Sequence, residues 1–131
     1  MSRHPFLLSI NPKKIKYGLT RTKQLLKACN NPQKKLLSIQ IVGTNGKGTT
    51  AAMLANVFIN NHYKTGLFTS PHLVSLNERI RINHNNIPNQ VIEDFLIKYR
   101  HAIDTIKPSF FEIMTVLSLY YFVQEKVSIA I

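Results

Sequence analysis

The 131-residue chain has no tryptophan, a single cysteine, only six acidic residues and no long apolar run. No stretch approaches the roughly 18 to 20 apolar residues that a membrane-crossing helix needs. One cysteine excludes an intramolecular disulfide framework and any multi-cysteine metal cluster. Cys29 itself reads as a small buried hydrophobe on a helix. Met1-Ser2-Arg3-His4-Pro5-Phe6-Leu7-Leu8 lacks the apolar core and small-residue cleavage site of a secretory signal, so a cytoplasmic location is expected. Against the six acids stand 17 Lys and Arg, a net charge of +11 that attracts polyanions in general. The basic residues are scattered, with pairs at Lys13-Lys14 and Lys34-Lys35. No aromatic-interleaved basic stripe accompanies them, so nucleic acid is not the expected partner and most lysines read as solvated surface. An apolar fraction of 44% fits a globular domain, and the length suits one domain, complete or incomplete.

Apolar periodicity supplies the order of elements. Gly18 to Cys29 reads as a short amphipathic helix stopped by Asn30-Asn31-Pro32, and Leu37 to Val42 as a buried strand. Glycines follow at once. From Thr49 the positions Ala51, Ala52, Leu54, Ala55, Val57 and Phe58 are helical, ending at Asn60-Asn61-His62. Lys64 to Thr69 reads as a strand, Ser70-Pro71-His72 as the turn that ends it, and Arg79 to Asn83 as an alternating strand with Ile80 and Ile82 on one side. A turn and loop over Asn83 to Pro88 leads to one helix, capped by Asn89, whose apolar stripe runs from Val91 to Ile106. Phe110 to Val123 is apolar nearly all round, as a helix buried between layers would be, and Val127 to Ile131 reads as a further buried strand. Strands alternating with helices predict a three-layer α/β domain of the P-loop type with a largely parallel sheet. Ligands collect at the carboxyl ends of such strands. The last residue lies at such a point, so the domain is expected to be incomplete at its C-terminus.

Gly43-Thr44-Asn45-Gly46-Lys47-Gly48-Thr49-Thr50 sits between a predicted strand and a predicted helix. Consecutive backbone N–H groups at a helix N-terminus cradle phosphate oxygens, and glycines admit the close approach. Lys47 adds a charge for the outer phosphates, and Thr49 or Thr50 a hydroxyl near bound Mg2+. The spacing departs from G-x-x-x-x-G-K-[ST]: Ile41 stands at the first glycine position, and Gly48 separates Lys47 from Thr49. ATP binding is the expectation.

Four segments in order carry a resemblance: Val42 to Thr50, Gly66-Leu67-Phe68-Thr69-Ser70-Pro71-His72-Leu73, Asn77-Glu78-Arg79-Ile80-Arg81-Ile82, and Phe110-Phe111-Glu112-Ile113-Met114-Thr115. Together they resemble the folylpolyglutamate synthase and dihydrofolate synthase family, a branch of the Mur ligase superfamily. The resemblance implies ATP-driven amide formation, in which a dihydropteroate or folate carboxylate accepts the γ-phosphoryl group and the amine of L-glutamate attacks the acyl phosphate. It further implies Lys47 as the catalytic phosphate contact, Ser70 and Glu112 as Mg2+ ligands, and Ser70, Pro71, His72, Asn77 and Arg79 as parts of a loop beside the folate site. A monomer acting on small molecules, away from membranes, is implied. Val42 stands where the family usually has a smaller residue, and Lys16 where members with dihydrofolate synthase activity can carry an acid. The resemblance also implies that residues 1 to 131 are the N-terminal part of the ATP-binding domain, with the rest of that domain and a C-terminal glutamate-ligase domain absent.

Plainer readings stand beside these. Ser109 and Glu112 fit a capping box, Ser70 before Pro71 a turn, His72 a surface histidine, and Arg79 with Arg81 a solvated strand edge. A short remnant without ligase activity, or a basic nucleotide-binding module, remains open as an alternative.

Overall fold

The computed structural model describes residues 4–11 and 14–131. Met1 to Arg3 and Lys13, on which the leader reading and one basic pair partly rest, lie outside the described residues. The order is α1 (Pro5–Ser9), α2 (Thr20–Ala28), a 3-10 turn (Pro32–Lys35), α3 (Lys47–Asn60), β1 (Thr65–Phe68), a second 3-10 turn (Leu76–Arg79), β2 (Ile80–Ile82), β3 (Asn85–Asn86), α4 (Asn89–Lys98), α5 (Arg100–Ile106), α6 (Phe110–Gln124) and β4 (Ile129–Ala130).

β1 organises the layers because its side chains alternate. Leu67 packs with Ala51 and Ala55 of α3 on one face. On the other face Gly66 lies against the ring of Phe122, and Phe68 meets Phe111 with ring centroids 5.8 Å apart. The result is α3, sheet, then α6, a three-layer α/β stack. α6 has no polar face because it is covered on both sides: Ile113, Met114, Val116 and Leu117 are fully enclosed, with Leu25 of α2 and Ile92 and Phe95 of α4 in the same core.

The sheet runs β3-β2-β1-β4. β1 and β4 are parallel, whereas β1 with β2 and β2 with β3 are antiparallel. It is therefore mixed, with the antiparallel part built from one hairpin. That hairpin lies where a loop is expected from the sequence. Asn83 (φ 47°) and His84 (φ 71°) are both left-handed, the requirement of a two-residue type I′ connection, and the chain returns as β3.

Four further features differ from expectation. Leu37 to Val42 is extended but not a strand: Ser38 makes one parallel bridge to Ala130, flanked by Ile39 N–H to Ala130 O (2.8 Å) and Ala130 N–H to Leu37 O (2.9 Å). Among the described residues its only pairing is with Ala130 on one side, and Leu37 and Val42 stay exposed. The expected single helix after Pro88 breaks at Tyr99 (φ −106°, ψ 16°), whose ring is clamped between Phe95 and Tyr120. The cap position belongs to Pro88, and Asn89 uses its side-chain oxygen elsewhere. α1 occupies part of what reads as a tail.

Cys29 ends α2 in the core, and burial pushes its thiol from an ordinary 9.0 up to about 11, with Tyr99 and Lys98 opposing weakly. Since the thiolate is the nucleophile, native protein at pH 8 should react with a disulfide reagent roughly 100-fold more slowly than unfolded protein. Absorbance of the released thiol measures this. Equal rates would show that Cys29 is open to solvent.

Candidate functional site

Gly46 (φ 74°) is the N-terminal boundary residue of α3, in a conformation glycine adopts without strain, and no side chain caps the helix there. Thr50 N–H bonds to Gly46 O at 2.9 Å, while the amides of Lys47, Gly48 and Thr49 have no protein acceptor among the described residues. A Cβ added to Gly46 or Gly48 would meet nothing within 4 Å. The absent side chains thus leave space in front of the loop and are not demanded by packing behind it. That is the disposition of an anion cradle at a helix N-terminus. Gly43, Thr44, Asn45 and Lys47 to Thr50 are all exposed, and Lys47 folds back so that Nζ donates to Gly43 O at 2.6 Å.

Beside the loop lies a cleft of about 470 Å³, bounded by Ile41 and its neighbours, the first turn of α3, the C-terminal end of β1 and one face of α6 from Phe111 to Phe122. Lys47, Gly48 and Ser70 share its wall with Phe111 and Thr115. The sheet therefore brings two separate sequence segments, the glycine loop and the residue after β1, to one cleft at the carboxyl end of the strand. Ser70 makes no hydrogen bond among the described residues, and the Ser70-Pro71 peptide is cis.

Beyond Pro71 the loop folds onto its own acid. Glu78 Oε1 accepts from the N–H groups of Val74 (2.9 Å), Leu73 (2.9 Å) and Ser75 (3.2 Å), and these hold the carboxyl below its ordinary range. Ser75 and Glu78 form a capping box on the second 3-10 turn. Asn77 is buried, its amide donating to Ile87 O and Asn89 Oδ1, both at 2.7 Å, which ties the loop to the start of α4. Arg79 is not on a solvated edge. It is 9% exposed, donates from Nε to His72 Nδ1 at 2.8 Å, and lies over the Phe110 ring at 5.3 Å. Burial, and then the charge of Arg79, push the His72 imidazole below its ordinary value.

Glu112 does not line the cleft. It forms the capping box with Ser109 at the start of α6, and its Oε1 also accepts from Arg21 Nε at 3.0 Å while Oε2 accepts from Thr22 Oγ1 at 3.1 Å. Burial alone would raise its pKa, but the Ser109 N–H, Arg21 and Thr22 outweigh it and hold the carboxyl low. Arg21 and Thr22 are the partners that sequence reading misses, since nothing local marks residues 91 and 90 positions away. Among the described residues no three His, Cys, Asp or Glu cluster as a metal site, and no helix is long and apolar enough to cross a membrane.

No protein-family model matches the chain. It is 33% identical over 116 residues to the dihydrofolate synthase/folylpolyglutamate synthase of Bacillus subtilis, covering 84% of this chain and 27% of that protein. It is 35% identical over 114 residues to the folylpolyglutamate synthase of Lacticaseibacillus casei, covering 82% of this chain and again 27% of the relative. Among solved structures, folylpolyglutamate synthase from Thermotoga maritima superposes with a TM-score of 0.88 at 32% identity, over 96% of this chain and 30% of that one. The chain thus spans a little over a quarter of the length of the relatives it matches. With relatives of 33% and 35% identity over more than four fifths of its length and a superposition covering nearly all of it, the chain belongs to the folylpolyglutamate synthase and dihydrofolate synthase family.

Proposed function

We propose that this chain supplies the nucleotide-binding part of an ATP-dependent ligase that joins L-glutamate to dihydropteroate, to folates, or to both. The observation that carries this reading is the uncapped N-terminus of α3, with Lys47 and Ser70 on one cleft wall. A related structure, 33% identical with a TM-score of 0.87, is a folylpolyglutamate synthase complexed with AMPPCP and folate, which supports an ATP-type nucleotide beside a folate acid.

A carboxylate is a poor electrophile. Transfer of the γ-phosphoryl group of ATP to a carboxylate oxygen of the folate acid gives ADP and an acyl phosphate. The glutamate amine then attacks the acyl carbon, loses a proton, and expels inorganic phosphate as the amide forms. Such transfer needs positioning and charge neutralisation more than covalent help. In this chain the free amides of residues 47–49 would hold phosphate oxygens, and Lys47 would exchange Gly43 O for them. For Mg2+, which prefers oxygen ligands, the donor set is half formed: the Ser70 hydroxyl lines the cleft, whereas the Glu112 carboxylate is engaged by Arg21, Thr22 and Ser109.

Calorimetric titration of the 131-residue chain with AMPPCP should show binding that Lys47→Ala weakens by roughly tenfold or more, the loss of a charge-assisted phosphate contact. Tight, salt-sensitive binding of a DNA oligomer without nucleotide binding would overturn the ligase reading. Binding without turnover is expected of the chain alone. Phosphate release above the Lys47→Ala control, with dihydropteroate and glutamate present, would contradict that.

A further inference from the structure

Among the asparagines of the chain, Asn45 is the only one followed by a glycine. That pairing has a chemistry of its own. The backbone nitrogen after an asparagine can attack the side-chain amide carbon and close a five-membered ring, and a side chain on the following residue ordinarily obstructs the attack. Gly46 has none, and a Cβ built on it would meet nothing within 4 Å, so the space around the attacking nitrogen is open.

Folded structure suppresses this reaction by fixing the asparagine, as it does elsewhere in the chain. Asn77 is buried, and its amide donates to Ile87 O and Asn89 Oδ1. Asn83 Oδ1 accepts from the Thr65 N–H at 2.9 Å, and the Asn61 amide donates to Val57 O at 2.7 Å. Asn56 lies inside α3. Asn45 has no such tie. It is exposed, its side chain makes no hydrogen bond among the described residues, and the backbone from Gln40 to Asn45 makes none to other backbone there.

The electrostatics favour the same step. Ring closure needs the Gly46 amide nitrogen to give up its proton, and the negative charge then lies at the N-terminal boundary of α3, where the helix carries partial positive charge. Lys47 adds a full charge, held against the loop by its contact to Gly43 O at 2.6 Å. The potential that suits a phosphate therefore also suits the ionised nitrogen.

We propose that Asn45 is a site of spontaneous deamidation, and that the reaction turns the glycine loop from an anion cradle into one that repels anions. Gly46 N bonds to Asn45 Cγ as the Cγ–Nδ2 bond breaks. Ammonia leaves with the proton given up by Gly46 N, and a cyclic imide remains. Water then adds to one imide carbonyl, breaks its bond to Gly46 N and returns a proton to that nitrogen. Attack at Cγ gives aspartate, and attack at the backbone carbonyl gives isoaspartate. Either product carries a carboxylate, and the isoaspartyl form also puts an extra carbon into the backbone ahead of α3. The chemistry stands on this chain alone, whereas its effect on binding rests on the nucleotide reading.

The test is incubation of the native chain at mildly alkaline pH, followed by peptide mapping with mass spectrometry that separates aspartyl from isoaspartyl forms. Asn45 should lose its amide roughly tenfold or more ahead of any other asparagine, and within a few-fold of its rate in the urea-unfolded chain. The rate should rise with pH, and Asn45→Gln, which would have to close a larger ring, should stay intact over the same interval. Added Mg-AMPPCP should slow the loss. In calorimetry, Asn45→Asp and the incubated chain should bind AMPPCP tenfold or more weakly than fresh parent, the effect of a carboxylate set beside the phosphates. Native conversion of Asn45 at least roughly tenfold slower than in the unfolded chain would overturn the site. Equal AMPPCP affinity of Asn45→Asp and parent, or AMPPCP that binds without slowing the conversion, would overturn the switch. Fresh chain that binds no AMPPCP yet converts Asn45 as expected would sink the nucleotide reading and leave the modification site standing.

Discussion

Gly66→Ala lowers the free energy of unfolding by about 3 kcal/mol, the upper part of the range for overpacking a filled core. The methyl group would stand 2.7 to 2.8 Å from three carbons of the Phe122 ring, closer than real Cβ contacts come. Neither side can give way easily. Gly66 is fixed by pairing with Ile82 on one side and Ala130 on the other, and Phe122 is 1% exposed in the core of α6. The glycine is present because it lets the sheet and α6 approach closely, and its φ is not the reason. Chemical denaturation measures the effect, and for a chain of this size the midpoint of thermal unfolding should fall by roughly 10 °C. The partner variant Phe122→Leu is destabilising alone, yet combined with Gly66→Ala it should recover part of the loss, a coupling visible in a double-mutant cycle. A Gly66→Ala change within experimental error of the parent would mean that the ring swings aside.

Glu112→Ala should cost a similar amount, about 3 kcal/mol, because it breaks three attachments together. The cap of α6 loses its reciprocal half, Arg21 loses its ion-pair partner, and Thr22 loses its acceptor. The loss should be present in buffer free of divalent ions, which separates this structural role from any role as a metal ligand. pH provides a second readout. The folded carboxyl titrates below its ordinary 4.5, so its stabilisation is complete above that value and fades as pH falls through the lower, folded value. Glu112→Gln should therefore flatten the acid limb of the stability profile below pH about 4.5. An unchanged acid limb would show that the Arg21 contact contributes nothing.

Much of the fold is legible in local pattern. The helix over Phe110 to Gln124 announces itself by an apolar run too long for a strand, and Ser109 with Glu112 supply the signature of its start. The glycine loop is readable for the same reason, since its chemistry lies in consecutive residues. What escaped reading depends on partners far away. Residues 37–42 have the composition of a buried strand, but whether such a segment pairs is decided by neighbours, and among the described residues only Ala130 supplies one. Arg79 alternates with Ile80 as an exposed strand residue should, and nothing local says that Phe110 and His72 will cover it. β3 was hidden because Asn-His is a weaker left-handed pair than Asn-Gly. The site divides likewise: Lys47 and Ser70 are brought together by the sheet, while Glu112 is drawn toward α2 by Arg21.

From Gln40 to Asn45 the backbone makes no hydrogen bond to other backbone among the described residues, so the approach to the phosphate loop is anchored at Ile39 and again at the first turn of α3. Amides in such a stretch exchange with solvent without any unfolding of the domain, whereas those of α6 must wait for global opening. Occupation of the loop would therefore restrict a segment held beforehand only by the packing of Ile41 and the Lys47 contact to Gly43 O among the described residues, and that ordering opposes binding with an entropic penalty that grows on warming. On the proposed reading, nucleotide affinity would be set as much by the slack of residues 40–45 as by the contacts of Lys47, and slowed exchange confined to that stretch is how occupation would first be seen.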